Sequence, residues 1–246
     1  MPGANGKDDD FRHYAFEVAY APASDAYIAD QTIIRPAFEL LRKYDGVHEI
    51  YSGVELEDPS ILVAIAWDSL KAHQAYEKQP EYKSYIDYLT PCLKGGATPV
   101  HVYFTANPMP AFNASVTEVI WVTAKAGDAN QAATLKTLDK ILEFANNSPD
   151  SLIHASYGSV LENAGTFCVV IGWSSFKEKA QVRPKTYPTV GNIVGDGLQL
   201  AKAVLKLVRN TVLGDPQGSM ALEPIIVGLT GKAVVEPVHC ALTKFV

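Results

Sequence analysis

Four histidines are the residues of this 246-residue chain best suited to chemistry. An imidazole titrates near neutral pH, so inside an apolar cavity it can take a proton from a phenol or an activated C–H. His48 and His154 lie 106 residues apart, as do Trp67 and Trp173. His101 and His239 each close the same tripeptide, Pro99-Val100-His101 and Pro237-Val238-His239. The candidate groups therefore come in two matched sets. In the first, His101, His48 and Tyr82 are the candidate catalytic residues. Tyr82 is suited to donating a hydrogen bond to a substrate oxygen, since a phenol with a pKa of about 10 is a poor base. Trp67, Tyr14, Phe16, Tyr85 and Tyr103 are the candidate substrate-binding residues, and such an aromatic lining suits a flat hydrophobic ligand. His154, Trp173 and His239 are their second-set counterparts. Each has a structural alternative: the tryptophans as core anchors, the histidines as partners of backbone carbonyls at strand edges.

Other chemistries lack their signatures. The chain has no His-x-x-x-His, His-Glu-x-x-His or clustered His and Cys, so no metal site is expected. It has no phosphate-binding glycine loop of the Walker or Gly-x-Gly-x-x-Gly type. A net charge of −6 argues against nucleic acid, which needs clustered Lys and Arg. No run of about eighteen apolar residues suggests a membrane span. The first ten residues are polar, with an aspartate run, and do not resemble a secretory signal. Cys92, Cys168 and Cys240 have no Cys-x-x-Cys neighbour, which fits a reducing compartment. A cytoplasmic protein is expected.

Matched residues require matched elements. The stretch Val47-His48-Glu49-Ile50-Tyr51-Ser52-Gly53-Val54 faces Ile153-His154-Ala155-Ser156-Tyr157-Gly158-Ser159-Val160 at the 106-residue offset. Ile61-Leu62-Val63-Ala64-Ile65-Ala66-Trp67 faces Phe167-Cys168-Val169-Val170-Ile171-Gly172-Trp173 at the same offset. Each half reads β-α-β-β-α-β. Residues 14–20 alternate as a strand, and Ile34, Phe38 and Leu41 step as a helix that Gly46 stops. Residues 48–56 and 61–67 are strands around a turn at 57–60. Ser69 caps a helix that Pro80 interrupts, and Tyr82, Tyr85, Ile86 and Leu89 continue at helical spacing. Residues 100–105 close the unit. In the second half, 119–124 is a strand, and Asp128 with Gln131 reads as a capping box opening a helix.

The first repeat is expected over residues 11–106, a stiff linker over 107–115, and the second repeat over 116–246. Between Trp173 and Pro237 the second repeat holds an insertion, at about 190–236. There Val194, Leu198, Ala201, Leu205, Val208 and Val212 mark a helix with apolar faces on two sides. Such a helix would cover the barrel, lid a pocket, or join two chains as a homodimer. The fold class is α+β: two fused ferredoxin-like repeats packed sheet to sheet. Polar residues of the closing strands, His101 and His239, are expected to point into the barrel.

The stretch Ile65-Ala66-Trp67-Asp68-Ser69-x-x-Ala72-His73, followed by Pro80-Glu81-Tyr82, resembles the central signature of antibiotic-biosynthesis-monooxygenase-like and stress-responsive proteins of the dimeric α/β-barrel superfamily. It returns more faintly in Gly172-Trp173-Ser174-Ser175, then Pro184. The resemblance covers both halves. It implies a pocket between each repeat's sheet and its helices, lined by the strand-end Trp and by a His just after the helical Pro. That position holds Tyr82 in the first half and Thr186 in the second, so the sequence departs from the pattern there. The implied function is cofactor-free monooxygenase-like or cyclase-like acid/base chemistry on an aromatic or polyketide-like substrate. The alternatives are a non-catalytic stress-response or ligand-binding barrel, and a haem barrel with one histidine ligand, for which His73 is the position. The first half is the favoured site because it keeps Pro-Glu-Tyr.

Overall fold

β1 (Ala15–Pro22) alternates as its sequence does: Phe16 and Val18 turn to one face, Glu17, Ala19 and Ala21 to the other. The computed structural model describes residues 11–55, 59–147, 152–173, 233–240 and 242–245. After β1, α1 (Asp25–Ala29) is capped by the Ser24 hydroxyl, which accepts from the Tyr27 N–H. α2 (Arg35–Leu41) buries Ala37, Phe38 and Leu41 against the sheet. β2 (Val47–Val54) and β3 (Ser60–Trp67) follow. β3 is buried at every position, because one face meets the barrel interior and the other meets helices. α3 (Leu70–Tyr76) is capped by Ser69, whose hydroxyl accepts from the Ala72 N–H at 3.2 Å. α4 (Pro80–Leu89) starts on Pro80, where a missing N–H costs nothing. β4 (Val100–Phe104) ends the first repeat.

The linker holds a short helix, α5 (Met109–Phe112), whose Ala111 and Phe112 plug the barrel. β5 (Val116–Ala124), α6 (Asp128–Asn147), β6 (Leu152–Val160), β7 (Thr166–Trp173) and β8 (Ala233–Cys240) repeat the pattern, and β9 (Thr243–Lys244) follows. Asp128 is the first helical residue rather than the cap; Asn130 and Gln131 N–H groups donate to the Gly127 carbonyl. The last strand starts at Ala233, earlier than expected, and Pro237 sits within it. There β8 runs along β5, with Pro237 opposite Ile120. The expected inserted helix, and with it Pro184, Thr186 and any dimer contact through the insertion, lies outside the described residues.

The strand order is β8-β5-β7-β6-β4-β1-β3-β2-β9. Each repeat contributes a ferredoxin-like order, last-first-third-second. One seam joins β4 to β6, with Phe104 opposite Gly158. A side chain at Gly158 would strike the Tyr103 carbonyl at 2.2 Å, so the seam demands glycine. The other seam closes the sheet on itself through the Glu55–Cys240 bridge and the β2–β9 pairing. Three cores result. The barrel interior holds Phe16, Tyr51, Leu62, Val102, Phe104, Phe112, Val119, Val170 and Val238 among others. The outer layer of the first repeat packs Phe38, Leu41, Ile65, Trp67 and Tyr76, and that of the second packs Leu138, Phe167, Ile171 and Trp173. Each large apolar side chain so buried contributes about 1.5–3 kcal/mol of transfer free energy.

The expectation that His101 points into the barrel is corrected. Val102 and Phe104 take the inner face of β4, while His101 pairs with Glu17 and shares its outer face. Bulky apolar residues fill the interior, and a polar ring there would have been unsatisfied. Cys92, Cys168 and Cys240 are buried. Among the described residues no helix is long and apolar enough to cross a membrane.

Candidate functional site

Glu17 is a charged residue in the middle of a central strand, flanked by β3 and β4. It is 8% exposed. Its Oε2 accepts from the Trp67 indole N–H at 2.9 Å. Burial pushes its carboxyl up to about 7, even though the Trp67 hydrogen bond and the charge of His101 act to lower it. Glu77, just past the end of α3, adds to the rise.

α3 sets His73 over this carboxylate. Ser69 fixes the helix start, and His73 and Tyr76, three apart, are its buried face. The His73 ring stacks on Trp67 with centroids 4.6 Å apart and planes at 23°. Its Nε2 lies 3.5 Å from Glu17 Oε2 and 3.9 Å from Glu77 Oε1. Its Nδ1 lies 2.7 Å from Nε2 of His101. Burial and the neighbouring His101 hold the His73 imidazole down at about 4, so it is neutral at pH 7. His101 in turn meets Glu162, in the turn between β6 and β7: Nδ1 to Oε1 at 2.6 Å, and backbone N–H to Oε2 at 2.8 Å. Partial burial raises the Glu162 carboxyl, but the His101 hydrogen bonds outweigh it and leave it below the ordinary value.

Glu17 and His73 form the polar wall of a cavity of about 280 Å³ between the sheet and α4. Ala19, Ala21, Ile61, Val63 and Ile65 floor it. Tyr82, Tyr85, Ile86 and Leu89 roof it, and the loop with Gly95 and Gly96 borders it. Burial, reinforced by the nearby Glu17 carboxylate, keeps both tyrosine hydroxyls protonated: Tyr82 is raised, and Tyr85 well above the usual range.

Of the residues selected from sequence, Tyr82 and Tyr85 line this cavity, and Trp67 and His101 stand directly behind its polar wall. The others lie apart from it. Tyr14 and Phe16 belong to the barrel interior. Tyr103 is 37% exposed. His48 stacks on Tyr14 and hydrogen-bonds Asp68 at the surface. In the second repeat, Trp173 donates to Glu118 Oε2 at 3.1 Å, His239 pairs with Glu118 in strand register, and the buried Nε2 of His154 has no hydrogen-bond partner. Sequence reasoning missed Glu17, Glu118 and Glu162. A signal existed for two of them: Glu17-Val18 and Glu118-Val119 put a carboxylate at the same place in each first strand.

Haem finds a poor fit. An axial imidazole needs a free nitrogen facing open space, yet His73 gives Nδ1 to His101 and turns Nε2 to Glu17 beside the Trp67 ring. Among the described residues no three His, Cys, Asp or Glu side chains are grouped as metal ligands.

No protein-family model and no curated protein matches the chain. Solved structures do. A candidate monooxygenase from Lactobacillus acidophilus NCFM superposes with a TM-score of 0.56 at 11% identity, over 94% of this chain and 95% of its own. A candidate monooxygenase from Fusobacterium nucleatum subsp. nucleatum gives 0.55 at 9% identity, over 94% and 93%. An anthrone oxidase-like protein gives 0.50 at 11% identity, over 95% and 93%. At such identities the likeness is one of fold. The chain has the ferredoxin-like dimeric α/β-barrel fold, closed within a single polypeptide.

Proposed function

We propose that this protein is a small-molecule enzyme whose general base is Glu17, acting on a flat aromatic substrate in the first repeat's cavity. One observation carries the reading: a buried carboxyl, held by the Trp67 indole, at the polar end of an apolar pocket, where burial pushes its pKa up to about 7. A base is most effective when its pKa lies near the working pH. Here the base is a carboxylate that touches the pocket, with His101 one residue behind it. The cavity lies near the lower end of ligand pockets, about 300 Å³, which suits two or three fused rings better than a long chain.

The chemistry is acid/base work coupled to dioxygen. Glu17 removes a proton from an acidic C–H or phenol, leaving a delocalised anion. For anthrone, the anion adds to O₂ to give a peroxide anion, which takes a proton to become a hydroperoxide. Loss of water then leaves a quinone. The ring carbon is oxidised, one dioxygen atom becomes the new carbonyl, and the other leaves as water. The substrate anion supplies the electrons. Tyr82 and Tyr85, held protonated, donate hydrogen bonds to the substrate oxygen on which negative charge develops. The anthrone oxidase-like fold relative makes anthrone the first substrate to try.

The test is oxygen uptake with anthrone by the purified chain and by Glu17→Gln. Uptake by the wild type that falls by about 100-fold or more in the variant supports the reading. Equal uptake by both contradicts it. Binding of anthrone without uptake supports the non-catalytic ligand-binding alternative.

A further inference from the structure

Glu17, His73, His101 and Glu162 form one continuous chain of side chains, and its last member belongs to the other repeat. We infer that His73, His101 and Glu162 are a proton store for Glu17: the proton taken from substrate passes to His101, opposite Glu162, and returns along the same two contacts. The inference rests on the reading of Glu17 as base and adds to it a positioning residue from the second repeat.

The hydrogen-bond directions follow from the two ends. Glu162 is an ionised carboxylate and can only accept, so Nδ1 of His101 carries a proton. In a neutral His101, Nε2 is then an acceptor, and the His73 Nδ1–H donates to it at 2.7 Å. That leaves a lone pair on His73 Nε2, facing Glu17 Oε2 at 3.5 Å. A protonated Glu17 is the donor this lone pair lacks. Catalytic contacts of this length shorten when substrate binds.

Once that contact has shortened, transfer moves two protons. The Glu17 proton goes to Nε2 of His73 as the Nδ1 proton of His73 goes to Nε2 of His101. Glu17 becomes a carboxylate, His73 stays neutral as the other tautomer, and His101 becomes an imidazolium paired with Glu162. The reverse step returns the proton to Glu17 when the peroxide anion needs it. His73 never holds charge, in keeping with the burial that disfavours its charged form. Glu162, with a side chain 41% exposed, stays solvated while it balances His101. The remaining groups facing Glu17 are Glu77, just past the end of α3, and Tyr82 and Tyr85 on α4, with the Trp67 N–H on β3. Glu77 Oε1 lies 3.9 Å from the same His73 Nε2, farther than Glu17 Oε2 at 3.5 Å, and both tyrosines stay protonated.

The experiment is a pH titration of the full chain with 15N-labelled histidine and 13C-labelled glutamate carboxyls, without ligand. As pH falls through neutrality one proton is shared between the two ends of the chain: part of it protonates Glu17, and in the remaining fraction His101 carries an Nε2–H, the His73 proton has moved from Nδ1 to Nε2 and Glu17 stays ionised, so that all three signals shift partially with one common midpoint. In Glu162→Gln the histidine nitrogens no longer follow that midpoint. Constant His73 and His101 signals in the wild type while Glu17 titrates near neutrality overturn the proton store and leave the base reading standing. A Glu17 midpoint in the ordinary carboxylate range sinks the base reading itself. The wild-type titration decides the matter even where Glu162→Gln does not fold.

Discussion

Next to Glu17 the outer face of β1 carries Ala19 and Ala21; at the same register positions β5 carries Ile120 and Val122 beside Glu118. Both carboxylates accept from the indole of the tryptophan that ends the third strand of their repeat. The Glu–Trp pair is therefore part of the duplicated scaffold. Among the described residues, a cavity opens beside Glu17, where two alanines leave open the space that Ile120 and Val122 fill in the second outer core. The first repeat also sets His73 on its carboxylate. A shared strand geometry supplies the buried acid, and small neighbours open the cavity beside it. The second repeat, in turn, lends Glu162 to the first.

The largest effect separates the two carboxylates directly. Glu17→Gln lowers anthrone turnover by about 100-fold or more, while Glu118→Gln changes it by less than about threefold. Steady-state oxygen uptake measures both, and equal losses would break the comparison.

Stability separates them next. Glu17 is raised from 4.5 to about 7 by folding, so between those values the native state binds more protons than the unfolded chain. Its contribution is fully present below pH 4.5 and lost as pH rises through about 7. Glu17→Gln therefore stabilises the protein at pH 8 by up to roughly 3 kcal/mol and changes little at pH 4. Urea unfolding at the two pH values checks the sign.

Filling the cavity is the third test. Ala19→Ile copies the second repeat into the first. It weakens anthrone binding by about tenfold or more without lowering the melting temperature, because the new side chain enters empty space. Calorimetry and thermal unfolding report the two quantities. The smallest effect is a shift in pH dependence. The Trp67 N–H lowers the Glu17 pKa, so Trp67→Phe moves the pH–rate midpoint upward. Trp173→Phe leaves that midpoint in place.

Most of the fold was legible because it was written twice. The 106-residue offset aligned β2 with β6 and β3 with β7, and the Pro-Val-His tripeptides marked β4 and β8. The barrel seams were less visible. β9 is two residues long, and the need for Gly158 is a contact with another strand's backbone rather than a local pattern. The site was half legible. Tyr82, Tyr85, Trp67 and His101 lie together around the cavity, and His73, weighed from sequence as a haem ligand, lies among them. Glu17 did not stand out, since a lone charge in an alternating strand reads as a solvent-facing residue. That reading holds for a one-sided sheet. It fails for a strand covered on both faces, where a carboxylate beside alanines borders a cavity. Glu162 was out of reach, because its partner His101 is 61 residues away across the repeat boundary.

The protonation of Glu17 is central to the proposed chemistry, and one titration reads it directly. The 13C carboxyl shift of Glu17 is followed from pH 3 to pH 10 in the unliganded full chain, with Glu17→Gln used to assign the signal. A midpoint at about 7 is predicted, from burial opposed only in part by the Trp67 hydrogen bond. A midpoint near 4.5, the value of an unperturbed glutamate, would contradict the account.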